Sequence, residues 1–324
     1  MPMSKMKNHF SLQACSLVLI ALLGLFACQS PTQNQVEEVQ QRIPFVYTSQ
    51  NNMAFDVCIN HQDSLVLMFH TAASGLSLIE SSTQNMQSIV WESEDLVESW
   101  GGESSSRFSQ NNQLSMGSLA WDSIGIWENQ RSGPETDGKF GPDLFAHQII
   151  EISNSTKTLI IHDSLPEHAT SFQKLPLIDE DGFLFVEARV GFAGSTYPHR
   201  FLLHSGYGGG LLLDDAFVQE SGLGASLEVI SEQELRDSFG NIITTKKAIL
   251  PQFNIGDTWL EALEVGFFEG EIAQQKISLI GAALLRQFDI LIDADRQFIY
   301  FKHLGDQEFF GASLVLKGGS SNKP

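Results

Sequence analysis

The chain repeats itself. Ser64-Leu-Val-Leu-Met-Phe-His70-Thr-Ala-Ala-Ser-Gly75 is echoed by Pro198-His-Arg-Phe-Leu-Leu-His204-Ser-Gly-Tyr-Gly-Gly209, an offset of 134. The segment opening Leu114-Ser-Met-Gly117 returns as Phe253-Asn-Ile-Gly256, an offset of 139. Gly138-Lys-Phe-Gly141-Pro-Asp-Leu-Phe145, followed by Ile149-Ile-Glu-Ile152, returns as Ser278-Leu-Ile-Gly281-Ala-Ala-Leu-Leu285, followed by Asp289-Ile-Leu-Ile292, an offset of 140. Three blocks in one order at nearly constant spacing make two copies of a single unit, joined near 166–176. With 324 residues, each copy is long enough to bury a core of its own.

Within each copy, apolar or alternating runs are cut by Gly, Asn, Asp and Pro. The runs 64–70, 119–127, 148–152, 158–162, 183–190, 201–204, 259–268, 288–292 and 297–302 read as strands, and helix is expected only at 214–221 and 232–237. The fold class is all-β. The 23 Phe and 5 Trp exclude a solvated, disordered chain. A formal charge of −20 repels phosphate backbones, which excludes nucleic acid held by counterion release.

The N-terminus reads as an address rather than as part of the fold. Lys5 and Lys7 precede an apolar run, 17–26, too short to span a bilayer comfortably. Leu25-Phe26-Ala27-Cys28 then resembles the lipobox of bacterial lipoproteins. The resemblance implies a signal peptide at 1–27, lipidation of Cys28 and a membrane surface as partner, held through acyl chains. Gln29 in place of Asp favours the outer membrane of a Gram-negative envelope. Loss of Lys5 and Lys7 leaves a mature charge of −22. Residues 28–42 read as a polar tether and 317–324 as a flexible tail. Three cysteines make no disulfide framework, and Cys58, in an alternating run, is expected to be a small buried hydrophobe.

Each copy resembles a lobe of the aspartic-peptidase fold, of the pepsin and retropepsin type. In that family an apolar strand ends in Asp-Thr/Ser-Gly, and a later apolar-apolar-Gly motif precedes a strand-turn-strand. The block 279–293 is especially similar to the closing motif of bacterial retropepsin-like proteins. The resemblance covers 43 to about 312 and implies a two-lobed aspartic-peptidase-like architecture, with lobes at 43–166 and 176–316. It also implies a hairpin over the cleft whose tip, Trp100-Gly101-Gly102, is a ligand-binding candidate. Trp121 and Trp127 are expected in the lobe core, and Glu92, Glu94, Asp95 and Glu98 on a solvated face.

The sequence departs from the family at the centre of its chemistry. Where the two catalytic aspartates belong stand His70, in His70-Thr71-Ala72, and His204, in His204-Ser205-Gly206. The family's carboxylates share one proton and activate a water; two imidazoles cannot run that cycle unchanged. Thr71 and Ser205 keep the hydroxyls that, by resemblance, cross-link the two loops, whereas Ala72 replaces a glycine. Asp56, Asp63, Asp163, Asp214 and Asp215 do not substitute, since none precedes Thr/Ser-Gly after an apolar strand.

Three readings of His70, Thr71, His204, Ser205 and Gly206 follow. The pair is structural in a cleft that binds an extended peptide or glycan without cutting it, a pseudoenzyme; or it is a base near neutral pH; or it is half of a metal site, which lacks a third ligand nearby. No metal and no cofactor is implied: there is no Gly-x-Ser-x-Gly elbow, phosphate loop or dinucleotide fingerprint. His61, His147, His162, His168, His199 and His303 lie among polar or turn residues and are expected to be solvated.

Overall fold

The computed structural model describes residues 41–99, 102–236, 242–268 and 275–305. Residues 1–40, with Cys28 and the signal segment, lie outside the described residues, as do Trp100, Gly101 and the tail 317–324. Among the described residues no helix is long and apolar enough to cross a membrane.

The strands run in chain order as β1 (Gln41–Pro44), β2 (Val46–Tyr47), β3 (Met53–Ile59), β4 (Asp63–Phe69), β5 (Leu76–Ile79), β6 (Ser93–Ser99), β7 (Gly102–Met116), β8 (Leu119–Asn129), β9 (Gly138–Phe140), β10 (Ile149–Ser153) and β11 (Thr158–His162). The second half continues with β12 (Gln173–Pro176), β13 (Ile178–Glu180), β14 (Phe183–Phe192), β15 (Ser195–His204), β16 (Leu211–Leu212), β17 (Val229–Arg236), β18 (Ile242–Ile255), β19 (Thr258–Phe267), β20 (Leu279–Gly281), β21 (Phe288–Ile292) and β22 (Phe298–His303).

The duplication is visible strand by strand. One eight-stranded sheet has the order β2-β3-β4-β9-β5-β8-β7-β6, the other β13-β14-β15-β20-β16-β19-β18-β17, and each has one extra pairing, β3 with β7 and β14 with β18. Position for position these are the same sheet. A six-stranded sheet, β1-β11-β10-β21-β22-β12, reads alike from either edge, so the antiparallel pair β10–β21 sits on the pseudo-twofold axis.

Period-two burial explains the strands. In β3, Phe55, Val57 and Ile59 are buried while Asp56 faces solvent. Phe55, Phe69, Phe140 and Phe145 stack edge-on or tilted in the first core, and Phe201 meets Phe253 in the second at 5.4 Å. Each such ring contributes about 2–3 kcal/mol by leaving water. The glycines that close the third repeated block are required by close approach: a Cβ on Gly141 would lie 2.0 Å from the Ala73 carbonyl oxygen, and one on Gly281 2.2 Å from that of Gly209.

Several expectations are corrected. The segment 232–236 is strand, not helix; it belongs to the edge strand β17, where alternating charge faces solvent and blunts the edge. The expected helix at 214–221 forms over Asp215–Ser221, with Asp214 capping it by accepting from the Phe217 N–H. Gln41 and Arg42, read as the end of the tether, pair with Ile161 and Ile160 in β1. Cys58 is partly exposed, because it shares the outer face of β3 with Asp56.

His162 and His199 are not solvated. His162 is buried, with Nε2 2.6 Å from Glu151 Oε2, and His168 meets the same oxygen at 3.1 Å. Burial alone would raise the Glu151 carboxyl, but hydrogen bonds to the two imidazoles outweigh it and hold the group below its ordinary value. His199 Nε2 lies 2.7 Å from Asp214 Oδ2 and 2.9 Å from Ser278 Oγ, tying β15 to the start of the helix and to the segment before β20.

Candidate functional site

The two repeated His-Thr/Ser loops meet. Thr71 follows β4 and Ser205 follows β15, and both are buried. The Thr71 N–H donates to Ser205 Oγ at 2.9 Å and the Ser205 N–H to Thr71 Oγ1 at 3.0 Å. The hydroxyls then donate onward, Thr71 to the Leu203 carbonyl and Ser205 to the Phe69 carbonyl, each at 2.7 Å. Every donor and acceptor has a counterpart 134 residues away, so this is a symmetric grip. Four buried hydrogen bonds contribute about 1 kcal/mol each, and breaking one costs more because the abandoned partner stays buried.

Asn51 and Asn52, on the turn between β2 and β3, reach across to the second loop. Asn51 donates to the Gly208 carbonyl at 2.9 Å and Asn52 to the Ser205 carbonyl at 2.8 Å. Arg286 donates to Asn51 and lies over the Tyr47 ring, 4.0 Å from its centroid. The loops are thus locked from below and from the side.

On this base His70 and His204 stand with ring centroids 4.5 Å apart and planes at 84°. The T-shape makes them inequivalent. His70 is 8% exposed, its N–H donates to the Phe140 carbonyl at 2.9 Å, and its buried Nδ1 has no hydrogen-bond partner. Its ring lies directly on Gly206: a Cβ there would fall 2.1 Å from His70 Nε2. The glycine of His204-Ser205-Gly206 is therefore required. Its counterpart Ala72 is partly exposed and packs against the cluster of Phe185, Leu202, Tyr207 and Leu279. Nδ1 of His204 accepts the Tyr207 N–H at 3.0 Å, which puts the proton of the neutral ring on Nε2.

Burial, then the repulsion that a protonated His204 would exert and the Lys139 charge, holds His70 well below the ordinary imidazole range. Burial, with Lys139 adding to it, brings His204 down from 6.5 to about 4. Both rings are uncharged at neutral pH. A carboxylate dyad carries one shared negative charge with which to hold and activate water, and this pair carries none. A base of such low pKa also extracts protons from water poorly.

Of the residues singled out in the sequence, His70, Thr71, His204, Ser205 and Gly206 come together. Gly102 opens β7 and pairs with Ser99 in the long hairpin β6–β7, while Trp100 and Gly101 lie outside the described residues. Trp121 packs edge-on against Phe145 at 5.7 Å at the margin of the first core, whereas Trp127, expected there too, is half-buried outside the core cluster and lies tilted against Phe108 at 4.4 Å. Asp214, weighed as a catalytic candidate, is engaged by His199 and Ser278. Sequence reasoning missed Lys139, although a signal existed: it interrupts an apolar-apolar-Gly motif whose second copy reads Leu279-Ile280-Gly281. Asn51, Asn52 and Tyr207 carried no such signal, because their roles depend on the meeting of the two loops.

No family model matches the sequence, and no curated protein matches it. In three dimensions the chain is similar to the crystal structure of the aspartic proteinase from Irpex lacteus, with a TM-score of 0.57 and 12% sequence identity over 82% of this chain and 97% of that one. The likeness shows the fold: an all-β, two-lobed architecture of the aspartic-peptidase type.

Proposed function

We propose that this protein is a cell-envelope lipoprotein, anchored through acylated Cys28, whose interlobe cleft binds an extended peptide or similar chain without aspartic-type proteolysis. In this reading His70 and His204 occupy the acid positions of the fold, and Trp100-Gly101-Gly102 belongs to the hairpin over the ligand. The observation that carries it is a pair of imidazoles 4.5 Å apart, uncharged at neutral pH, on an intact hydroxyl grip. The scaffold of a substrate cleft is kept while the group that would split an amide is gone. The apolar run 17–26 ending in Leu25-Phe26-Ala27-Cys28 supports the anchor.

The test is incubation of the lipid-free mature protein with unfolded casein from pH 3 to 8, read by mass spectrometry. No fragments are expected at any pH, and fragments at acid pH refute the reading. For the anchor, Cys28→Ser is expected to move the protein from the membrane to the soluble fraction; unchanged fractionation refutes lipidation.

The alternative, a hydrolase using the pair as a base, draws on one fact: both rings are uncharged at neutral pH, and Nδ1 of His70 has no hydrogen-bond partner. It predicts turnover near neutrality that disappears in both His70→Ala and His204→Ala. A dication between the rings is opposed by the Lys139 charge acting on both.

A further inference from the structure

The two faces of the six-stranded sheet have different neighbours. Ile152, Ile290 and Ile292 of its inner face line a cavity with Thr71, Leu203 and Ser205, so that face looks towards the grip and the dyad. Residues directly opposite one another in antiparallel strands share a face, which sets Ile160, Glu151, Leu291, Tyr300 and Lys174 in one row on the other side. The connector between the lobes crosses this outer face: Ala169 packs with Ile149, Leu291 and Tyr300, and His168 reaches Glu151. The outer face therefore points away from the dyad.

At its β12–β22 edge this face carries two lysines laid over aromatic rings. Lys174 Nζ stands 3.5 Å from the centroid of Phe298 and 5.7 Å from that of Tyr300, and Lys302 Nζ stands 5.6 Å from that of Phe172. Both lysines are exposed and Phe172 and Phe298 are half-buried; among the described residues neither ammonium forms an ion pair. The acids within the sheet are occupied: Asp289 accepts from the Ser155 N–H and hydroxyl, and Glu151 is held by His162 and His168. The exposed acids of the connector, Asp163 and Glu167, lie towards β11, at the other side of the sheet. In a chain with 39 Asp and Glu against 19 Lys and Arg, this edge is a cationic spot. A lysine over a ring keeps its charge while its stem covers apolar surface, as side chains at a lipid interface do.

The chain enters this sheet at β1, and twelve residues separate Cys28 from Gln41. Fully extended they reach about 40 Å, whereas six strands span about 24 Å. A lipid on Cys28 thus leaves the whole outer face within reach of the bilayer. We infer that the outer face of the six-stranded sheet rests on anionic phospholipid headgroups through Lys174 and Lys302, turning the cleft away from the membrane. The inference rests on the lipid-anchor reading above and adds a docking surface and an orientation to it. Held by the anchor, the face has only to bias the orientation and need not bind lipid unaided. The acid excess on the rest of the surface is repelled by the same headgroups, which favours this face further.

The experiment uses the mature chain, 28–324, with Cys58→Ser, coupled through the Cys28 thiol to maleimide lipid in vesicles. One set of vesicles is phosphatidylcholine, the other phosphatidylcholine mixed with phosphatidylglycerol. Hydroxyl-radical footprinting, read by mass spectrometry, compares Phe172 and Phe298 with Leu96, which is exposed on β6 of the first lobe. We expect oxidation of Phe172 and Phe298 to fall about threefold or more on the anionic vesicles relative to the neutral ones, with Leu96 unchanged. Lys174→Glu together with Lys302→Glu is expected to abolish that protection; both side chains are exposed, so the fold stands. Lys174→Arg together with Lys302→Arg is expected to keep it. Equal oxidation on the two sets of vesicles, protection that survives the glutamates, or protection of Leu96 instead overturns the inference. Because the coupling is chemical, these outcomes bear on the docking face alone, and acylation in the cell is tested separately by the fractionation of Cys28→Ser.

Discussion

An uncharged His204 inside the fold makes stability depend on pH in a window that can be computed. In the unfolded chain its imidazole protonates near 6.5, and in the folded protein only near 4. Between those values the unfolded state binds the extra proton, so stability falls as pH falls from 6.5 towards 4 and is flat, for this group, above 6.5. At about 1.4 kcal/mol per pH unit the full gap is ~3 kcal/mol. His204 keeps some solvent contact, so we expect ~2–3 kcal/mol from it, with His70 adding in the same direction. The assay is urea unfolding followed by tryptophan fluorescence at pH 7.5, 6.5, 5.5 and 4.5, in the wild type and in His204→Gln, whose side chain does not titrate. The wild-type midpoint should fall with acidification more steeply than that of the variant. Parallel curves, or a wild type that gains stability below pH 6.5, mean that the ring is charged in the folded protein, and the reasoning fails.

The grip offers a second test: Thr71→Val keeps the shape but strands the Leu203 carbonyl and the Ser205 N–H, and should cost about 2–4 kcal/mol of unfolding free energy by denaturant titration. Gly206→Ala drives a methyl into the His70 ring and should cost about 1–3 kcal/mol, whereas Ala72→Gly on the other loop should change stability by less than about 1 kcal/mol. Glu151, whose pKa is lowered in the fold, lends stability above its unfolded value of 4.5 that is lost as pH falls through the folded value. Glu151→Gln should therefore flatten the acid limb of the stability profile below pH 4.5 and leave the 6.5-to-4 limb unchanged; a profile altered in the upper limb contradicts this assignment.

The duplication was legible because it is written in residues that tolerate little exchange. Gly117 and Gly256 mark the same hairpin turn, Gly141 and Gly281 the same close approach, and the apolar strands before His70 and His204 the same entry to the site. Local pattern failed where partners are distant in the chain. His199 sits among polar neighbours in sequence, yet its partners Asp214 and Ser278 are brought in by the helix start and by the segment before β20. His162 faces Glu151 only because β10 and β11 form a hairpin and turn both side chains to one side. The charge-rich 232–236 has a helix former's composition, and only its place at a sheet edge makes it strand. Lys139 is informative as a mismatch between copies, which becomes visible once Leu279 is seen buried in its place.

Selective 13C labelling of histidine rings, followed by a nuclear Overhauser experiment at pH 7, goes to the heart of the matter. Strong cross-peaks between the ring protons of His70 and His204, assigned through His70→Gln and His204→Gln, are predicted by centroids 4.5 Å apart. Their chemical shifts should be those of uncharged imidazole, with His204 carrying its proton on Nε2. Rings that show no mutual cross-peak, or that are protonated at neutral pH, contradict the account.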